Sequence, residues 1–209
     1  MAELGAVLHG RRPQATAEAL AAIASGLAEA HYGAIVWMPA SFAPDEAELG
    51  VEQIAAMLRH LNVTTRCVGL PLGGSGNGLG AMQASLWQTG WPLRLGFGEG
   101  TPRHDPWRFA GDRMLSSDEA DALVWATTLI AEAPPATSRP VIALIPDDLI
   151  LPGPAAVEIR VGIPGIDHDG EIFRSDTVIA LPLQATRRSD RPSVAAAASA
   201  ILAKLETLP

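Results

Sequence analysis

The sequence predicts an α/β domain of Rossmann-like type: a mainly parallel sheet with helices on both faces, plus a short β-hairpin region near the C-terminus. The main observation is that short, continuous apolar runs alternate with segments of helical length and periodicity, the pattern of parallel strands buried on both faces. The second is that 209 residues, 48% of them hydrophobic, are enough for one buried core. We therefore expect a single domain over residues 1–209, in which residues 146–184 are appended β segments.

The first half of the chain has the order of successive βα units. In the first helical segment Leu20, Ile23 and Leu27 recur at helical spacing, and Gly33 ends it. Asp45 begins the second, which carries an apolar face from Leu49 to Leu61. The predicted order is a helix at 16–31, a strand at 34–39, a helix at 45–61, a strand at 65–72, a helix at 80–90 and a third strand at 92–98.

The second half departs from this rhythm. Apolar runs predict strands at 121–128, 141–146, 155–163 and 178–183, and a helix closes the chain at 192–208. After Pro146 the apolar runs are closely spaced and broken by prolines, by glycines and by the turn pair Asp169-Gly170. We interpret this region as one or two hairpins.

Charge and cysteine content exclude several classes of function. The net charge of −8 leaves no electrostatic footprint for nucleic acid or for anionic lipid. The one cysteine, Cys67, cannot supply a cysteine-rich zinc site or hold an iron–sulfur cluster alone. No apolar h-region follows Arg11-Arg12, and no window reaches the ~18 apolar residues of a membrane span. We expect a cytoplasmic protein that contacts neither membrane nor nucleic acid.

A glycine-rich loop is the first candidate binding site. Gly76-x-Gly78-x-x-Ala81 fits a loose dinucleotide fingerprint, because it follows a strand, opens a helix and could cradle a phosphate with free amides. The absence of a following lysine excludes a P-loop. The alternative is a structural turn in which glycines permit positive φ. The residues concerned are Gly74, Ser75, Gly76, Asn77 and Gly78.

A second candidate is the segment from Glu99 to Arg108, at the predicted carboxyl end of the third strand, where open α/β sheets bind ligands. His104 with Asp105 and Arg103 could provide a base, an orienting carboxylate and an anion clamp. The alternative, which we favour, is a surface loop without catalytic function.

The remaining polar candidates favour structural roles. Asp167-His168-Asp169 offers metal-ligand side chains, but three consecutive residues rarely converge on one ion and Asp169-Gly170 is a turn pair. Cys67 lies within an apolar strand, which is typical of a small buried hydrophobe rather than of a nucleophile. The sequence therefore predicts no catalytic residue and no metal site.

Five tryptophans are unusual in a chain of this length that has one tyrosine. Trp37 and Trp125 fall in predicted strands and should belong to the core. Trp87, Trp91 and Trp107 flank the third strand, where exposed aromatic side chains would mark an interface. Together with Arg103, these three are our candidate partner contacts.

Residues 62–129 carry a series of small motifs in a recognisable order. The series resembles the central α/β part of the B subunit of formylmethanofuran dehydrogenase, of the molybdopterin oxidoreductase family. Segments 139–146, 165–176 and 178–183 are similar to later strands of that family. The matching positions are Thr65-Arg66, Pro71-Leu72, Gly73 to Asn77, Gly80-Ala81, Trp87, Thr89-Gly90, Phe97, Gly100, Pro102-Arg103, Pro106 and Asp121-Ala122.

The resemblance implies a redox family from which this chain departs. Active members are about twice as long and carry an N-terminal cysteine cluster for [4Fe–4S], a cysteine or selenocysteine ligand to molybdenum or tungsten, and a bis-pterin site. This sequence has no cluster motif, and its one cysteine stands in a different context. We therefore expect no cofactor.

The chain is also similar to truncated relatives of this family, the B subunits of formyltransferase/hydrolase complexes in methylotrophic bacteria. The resemblance implies a structural subunit that assembles with subunits A, C and D. Such complexes move a formyl group from tetrahydromethanopterin to methanofuran and release formate during formaldehyde oxidation. The alternative is an oxidoreductase subunit that retains a pterin or a nucleotide at the loop from Gly74 to Asn77.

Overall fold

The computed structural model describes residues 2–11, 18–43, 46–74, 76–176 and 178–207. They form two compact units, Met1–Gly74 with Ser175–Thr177, and Ser75–Arg174 with Val178–Pro209. The mixed α/β class, with parallel strands, helices and an antiparallel hairpin near the C-terminus, is confirmed. The single domain over residues 1–209, with residues 146–184 as appended segments, stays a prediction.

The first unit contains a parallel βαβ arrangement. Its two strands pair in parallel from Tyr32 opposite Arg66 to Trp37 opposite Pro71, and the intervening helix provides the crossover. Pro71 stands at the end of its strand, where a missing N–H costs no ladder bond. The elements are α1 (Ala2–Leu8), α2 (Glu18–Glu29), β1 (Tyr32–Trp37), a 3-10 turn (Pro39–Ser41), α3 (Ala47–Leu61) and β2 (Arg66–Pro71).

The core of this unit lies between α3 and the strands. Ile54, Met57 and Leu61 share the buried face of α3, and Cys67 is buried on β2. Gly69 permits the closest approach, because a Cβ there would stand 2.5 Å from Leu58 Cδ1 and 3.0 Å from the Trp37 ring. A larger residue at position 69 would therefore push α3 away from β2.

The second unit contains a three-stranded parallel sheet, two antiparallel ladders and three helices. The elements of the unit are α4 (Gly78–Thr89), β3 (Leu95–Gly96), β4 (Arg103–His104), α5 (Gly111–Ser116), β5 (Leu123–Ala126), β6 (Val141–Ile145), β7 (Val157–Arg160), β8 (Gly170–Phe173), β9 (Ala180–Leu183) and α6 (Val194–Leu205). In the parallel sheet the strand order is β5-β6-β7, with Leu123 opposite Val141 and Ile142 opposite Val157.

The core of the second unit is built on β6. Ala143, Leu144 and Ile145 are buried, and Leu144 clusters with Val161 and with Ala197 of α6. The first turn of α6 is capped by Ser193, whose hydroxyl accepts a hydrogen bond from the N–H of Ala196 at 3.1 Å. The apolar run of β6 and the cap of α6 are thus the sequence features that organise this unit.

Two predicted elements differ from the structure. The third strand predicted at 92–98 is reduced to β3, which pairs antiparallel with β4 in a two-residue ladder instead of extending a parallel sheet. The cause is local, since Arg94 (φ +67°) interrupts the extended backbone inside the predicted strand and Gly100 (φ +78°) turns the chain after it. β7 was predicted within an appended hairpin region, yet it is parallel to β6, so among the described residues after Pro146 the strands that pair antiparallel are β8 and β9.

The other predicted elements are found, with ends that differ by a few residues. The predicted helix starts at Thr16 and Asp45, and the predicted helix end at Leu208, lie outside the described residues. Of the helices in the described part of the chain, none is long and apolar enough to cross a membrane.

Candidate functional site

The glycine loop before α4 is a left-handed turn. Gly76 has φ +67° and Asn77 has φ +58°, so both residues lie in the region that Gly and Asn tolerate best. Gly74 and Gly78 are exposed, and a Cβ at either would meet no atom within 4 Å. Ser75 lies outside the described residues. Positive φ therefore explains Gly76 and Asn77, and close packing also restricts Gly76, because a Cβ there would stand 3.0 Å from Ile130 Cδ1.

The side chain of Asn77 is engaged with a strand of the same unit. Its Oδ1 accepts a hydrogen bond from the N–H of Phe173 at 2.9 Å, and its Nδ2 donates to the carbonyl of Glu171 at 3.1 Å. Gly80 lies directly beneath it, since a Cβ there would stand 2.5 Å from Oδ1. These contacts account for Asn77 and Gly80 as parts of a turn fastened to β8. Ligand binding at this loop stays a prediction.

The second candidate segment forms the β3–β4 hairpin and the turn after it. His104 stacks on Trp91 with 5.9 Å between ring centroids, and its Nδ1 is buried without a hydrogen-bond partner among the described residues. Asp105 instead accepts hydrogen bonds from the N–H groups of Arg108 at 2.8 Å and Trp107 at 3.0 Å, and these lower the pKa of its carboxyl group. Asp105 therefore shapes the turn, and no hydrogen bond joins it to His104.

The candidate partner contacts are exposed. Trp87 is 72% exposed, Trp91 49% and Trp107 73%, and Phe97, which the sequence reasoning did not single out as a contact, is 60% exposed. Arg103 is exposed as well and pairs with Glu99 at 2.5 Å. Trp87 lies on α4, 6.1 Å from the Phe173 ring, whereas the other residues belong to the hairpin and its turn.

Trp107 is held in place by a fixed arginine. The guanidinium of Arg113 lies over its ring at 4.9 Å and bonds both carboxylate oxygens of Glu119, at 2.6 and 2.7 Å. The hydrogen bonds from Arg113 lower the pKa of Glu119 to about 2. Arg113 also donates to the carbonyls of Trp107 and Arg108. Sequence reasoning missed Arg113 and Glu119, because two residues six positions apart match neither the helical nor the strand period.

Asp167 and Asp169 serve the backbone. The almost fully buried carboxylate of Asp167 accepts from Arg187 Nε at 2.6 Å and from the N–H of Ile163 at 2.9 Å. These bonds, Arg187 first, lower the pKa of Asp167 to about 2. Asp169 Oδ1 accepts from the N–H of Ala185 at 2.8 Å. The described residues contain no cluster of three or more His, Cys, Asp or Glu side chains able to hold a metal ion.

A polar cavity of about 300 Å³ lies at the carboxyl ends of β6 and β7. Its lining includes Asp147, Asp167 and Arg187, so it occupies the place where open α/β sheets bind ligands. Two of its three carboxylates are in ion pairs, because Arg187 pairs with Asp167, and Arg191 contacts Asp147 at 2.9 and 3.0 Å; the third carboxylate is that of Asp148. This pairing favours a structural ion network over a ligand pocket.

No protein-family model matches the chain. Among curated proteins it is 33% identical, over 190 residues, to the B subunit of the formyltransferase/hydrolase complex Fhc of Methylorubrum extorquens, an alignment that covers 90% of this chain and 51% of that protein. The chain is a homologue of the Fhc B subunit. The sequence motifs relate the first 60 residues to this family only weakly. The alignment with the Fhc B subunit includes most of these residues.

The structural comparison agrees with this relationship to the Fhc B subunit. The fold matches a chain of the formyltransferase/hydrolase complex (FhcABCD) from Methylorubrum extorquens, crystallised with methylofuran, with a TM-score of 0.83 and 33% identity. The match covers 98% of this chain and 56% of that chain. This protein therefore spans about half the length of the Fhc relatives that it matches.

A more distant similarity extends to redox enzymes. The B subunit of tungsten-containing formylmethanofuran dehydrogenase 2 from Methanocaldococcus jannaschii is 25% identical over 152 residues, which is 68% of this chain and 33% of that protein. The corresponding subunit from Methanococcus maripaludis is 28% identical over 124 residues, 56% of this chain and 29% of that protein. The family resemblance seen in the motifs is thus confirmed, and the Fhc relationship is the stronger one.

The residues of this chain do not fit the metal groups that the family resemblance implies. A [4Fe–4S] cluster needs four thiolates, and the sequence has one cysteine. Cys67 is buried on β2 beside Gly33, and a Cβ added at Gly33 would stand 3.2 Å from the Cys67 sulfur. Burial raises the pKa of the Cys67 thiol. A buried neutral thiol of this kind is a packing group and not a metal ligand.

Proposed function

We propose that this chain is a non-catalytic structural subunit of a formyltransferase/hydrolase complex, in which it assembles with subunits A, C and D. The observation that carries the proposal is the relationship to the Fhc B subunit, because sequence and fold agree over nearly the whole of this chain. The complex would transfer a formyl group from tetrahydromethanopterin to a methanofuran and hydrolyse it to formate in formaldehyde oxidation.

The hydrogen bonds and ion pairs of the polar side chains support the proposal that this subunit is non-catalytic. A catalytic acid–base pair needs two groups within hydrogen-bond reach and free to face a substrate. Asp105 is committed to backbone amides, Asp167 to Arg187, and Glu119 to Arg113. Of the groups that sequence patterns nominate for chemistry, Asp105 and Asp167 thus stabilise turns, and His104 stacks on Trp91 without a hydrogen bond to Asp105.

Exposed aromatic side chains support the proposal that this chain assembles with other subunits. Trp87, Trp91, Trp107 and Arg103 are our proposed partner contacts, because tryptophan and arginine are enriched among the residues that dominate binding at protein interfaces. A side chain such as Trp107, left 73% exposed, is costly in water unless a partner covers it.

The experiment that tests the non-catalytic role is a paired assay. The chain is purified alone and after co-expression with the A, C and D subunits of its host, and each sample is tested for formyl transfer and formate release. Molybdenum, tungsten, iron and pterin are quantified in the same samples. We expect turnover only in the co-expressed sample and no metal or pterin attributable to this chain.

Two results would contradict the role. The first is turnover by the isolated chain. The second is a stoichiometric pterin or nucleotide that remains with the isolated chain and is lost in Gly76→Val while the fold survives. This second result would support the alternative, a subunit that retains a cofactor at the loop from Gly74 to Asn77.

A further inference from the structure

The hairpin segment, residues 91–108, exposes more aromatic surface than a solvated turn requires. Phe97 and Trp107 are 60% and 73% exposed, and Trp91 is half exposed where it stacks on His104. Soluble proteins rarely leave several large aromatic side chains together in water, and such groups mark binding surfaces. The segment is therefore a candidate docking surface.

The segment is also held in one conformation. Asp105 fastens the turn through two backbone N–H groups, Arg94 donates to the carbonyl of Pro106 at 2.5 Å, and Phe109 packs directly on Gly96. Arg113, fixed by Glu119, lies over the Trp107 ring. Because these side chains are ordered before binding, little conformational entropy is left to lose when a partner covers them.

The charge of the segment differs from that of the chain. Arg94, Arg103 and Arg108 stand against two carboxylates, those of Glu99 and Asp105, whereas the whole chain carries 15 basic and 23 acidic residues. Glu99 is paired with Arg103, and Asp105 faces backbone amides. Among the described residues no ion pair joins Arg94 or Arg108 to a carboxylate. With three arginines against two carboxylates, the segment thus carries a net positive charge on a protein of net charge −8.

This charge pattern selects one kind of partner. A symmetric dimer through the segment would place the arginines of one copy against those of the other, which is unfavourable. An acidic face pairs with the guanidinium groups of Arg94 and Arg108, and an apolar centre covers the aromatic rings.

We infer that the hairpin segment docks a different protein subunit, whose contacting face is apolar at its centre and carries carboxylates at its rim. The inference rests on the proposed function and deepens it, because it assigns the surface and the chemistry of the neighbour. Phe97 and Trp107 are the apolar anchors, and Arg94 and Arg108 supply the charge complement.

The test uses the full chain co-expressed with the A, C and D subunits, and compares two double variants with wild type. Phe97→Ala/Trp107→Ala removes the anchors, and Arg94→Glu/Arg108→Glu reverses the charge while every aromatic side chain is kept. We expect each to raise the dissociation constant for the neighbouring subunit about tenfold or more. We also expect wild-type binding to weaken as salt concentration rises.

Controls separate docking from folding. Val63→Ala/Ile150→Ala removes two apolar side chains elsewhere on the chain that are more exposed than Phe97 and Trp107, and this variant should bind as wild type does. Arg108→Lys keeps the charge and should retain most of the affinity. The thermal transition of every variant is compared with that of wild type, and the charge variant decides the result if the aromatic variant fails to fold.

The outcomes distinguish this inference from the proposed function. If wild type does not assemble with the other subunits, the proposed function itself fails. If wild type assembles and both double variants keep its affinity, the docking inference is overturned while the proposed function stands. Self-association of the isolated chain that Phe97→Ala/Trp107→Ala abolishes would also overturn the inference, because the occupant would then be a second copy.

Discussion

Asn77 and Phe173 are 96 positions apart in the sequence, and the side-chain oxygen of Asn77 accepts a hydrogen bond from the backbone N–H of Phe173 at 2.9 Å. The same amide donates to the carbonyl of Glu171, so one side chain satisfies two backbone groups of β8. A loop whose glycine pattern is typical of phosphate binding is thereby fastened to the C-terminal hairpin. The loop positions the start of α4 against β8.

Removal of the Asn77 side chain should destabilise the protein. Asn77→Gly tolerates the positive φ but leaves the β8 amide and carbonyl without these partners, so we expect the free energy of unfolding to fall by about 1–3 kcal/mol. Asn77→Ala should cost about 1 kcal/mol more, because alanine is strained in the left-handed region. Urea titration measures both. An unchanged midpoint in Asn77→Gly would show that the two hydrogen bonds contribute nothing.

Gly80→Ala should be destabilising although alanine favours helices. The new Cβ would stand 2.5 Å from Asn77 Oδ1 and would displace the amide from β8. Gly78→Ala is the matched control, because it lies in the same helix, a Cβ there meets no atom within 4 Å, and it should stabilise by up to about 1 kcal/mol. Thermal melts of the two variants should move in opposite directions; a rise in melting temperature for Gly80→Ala would contradict the packing described.

Gly69→Ala tests the core of the first unit. A Cβ on β2 would press against Leu58 and Trp37, and overpacking of this kind costs about 1–3 kcal/mol. Gly26→Ala in α2 has open space around it and should gain up to about 1 kcal/mol from helix propensity. Equal stabilities of the two variants in chemical denaturation would exclude the close approach of α3 to β2.

Acid should weaken the Asp167–Arg187 pair. The pKa of Asp167, about 2, lies below the unfolded value of about 3.9, so its contribution to stability is fully present above pH ~4 and is lost as pH falls toward 2. Asp167→Asn should therefore be less stable than wild type at neutral pH, by a margin that narrows between pH 4 and 2. Denaturant midpoints across this pH range provide the comparison.

The sequence predicted the parts of the fold that depend on local periodicity. The apolar runs of β1, β2 and β6 and the amphipathic pattern of α3 are visible in the sequence, because burial of one face or of both faces selects those residues. The short elements were not predictable in the same way. β3 and β4 are two residues each, and α5 has only six, so none of the three elements gives a periodic signal.

In the candidate site, too, the sequence predicted some features and not others. Trp87, Trp91 and Trp107, which flank the predicted third strand and are the candidate contacts, are exposed in the structure. Their contact with a partner stays a prediction. The role of Asn77 was not visible, since its partner lies 96 residues away, and neither was the support of Trp107 by Arg113. Tertiary contacts between irregular segments leave no spacing rule in the sequence.

The central claim is that this chain is built into a larger enzyme, and native mass spectrometry of the co-expressed complex tests it most directly. With an affinity tag on the D subunit, we expect one eluted assembly that contains this chain at fixed stoichiometry with A, C and D. Elution of A, C and D as an intact, active assembly from which this folded chain is absent would contradict the claim.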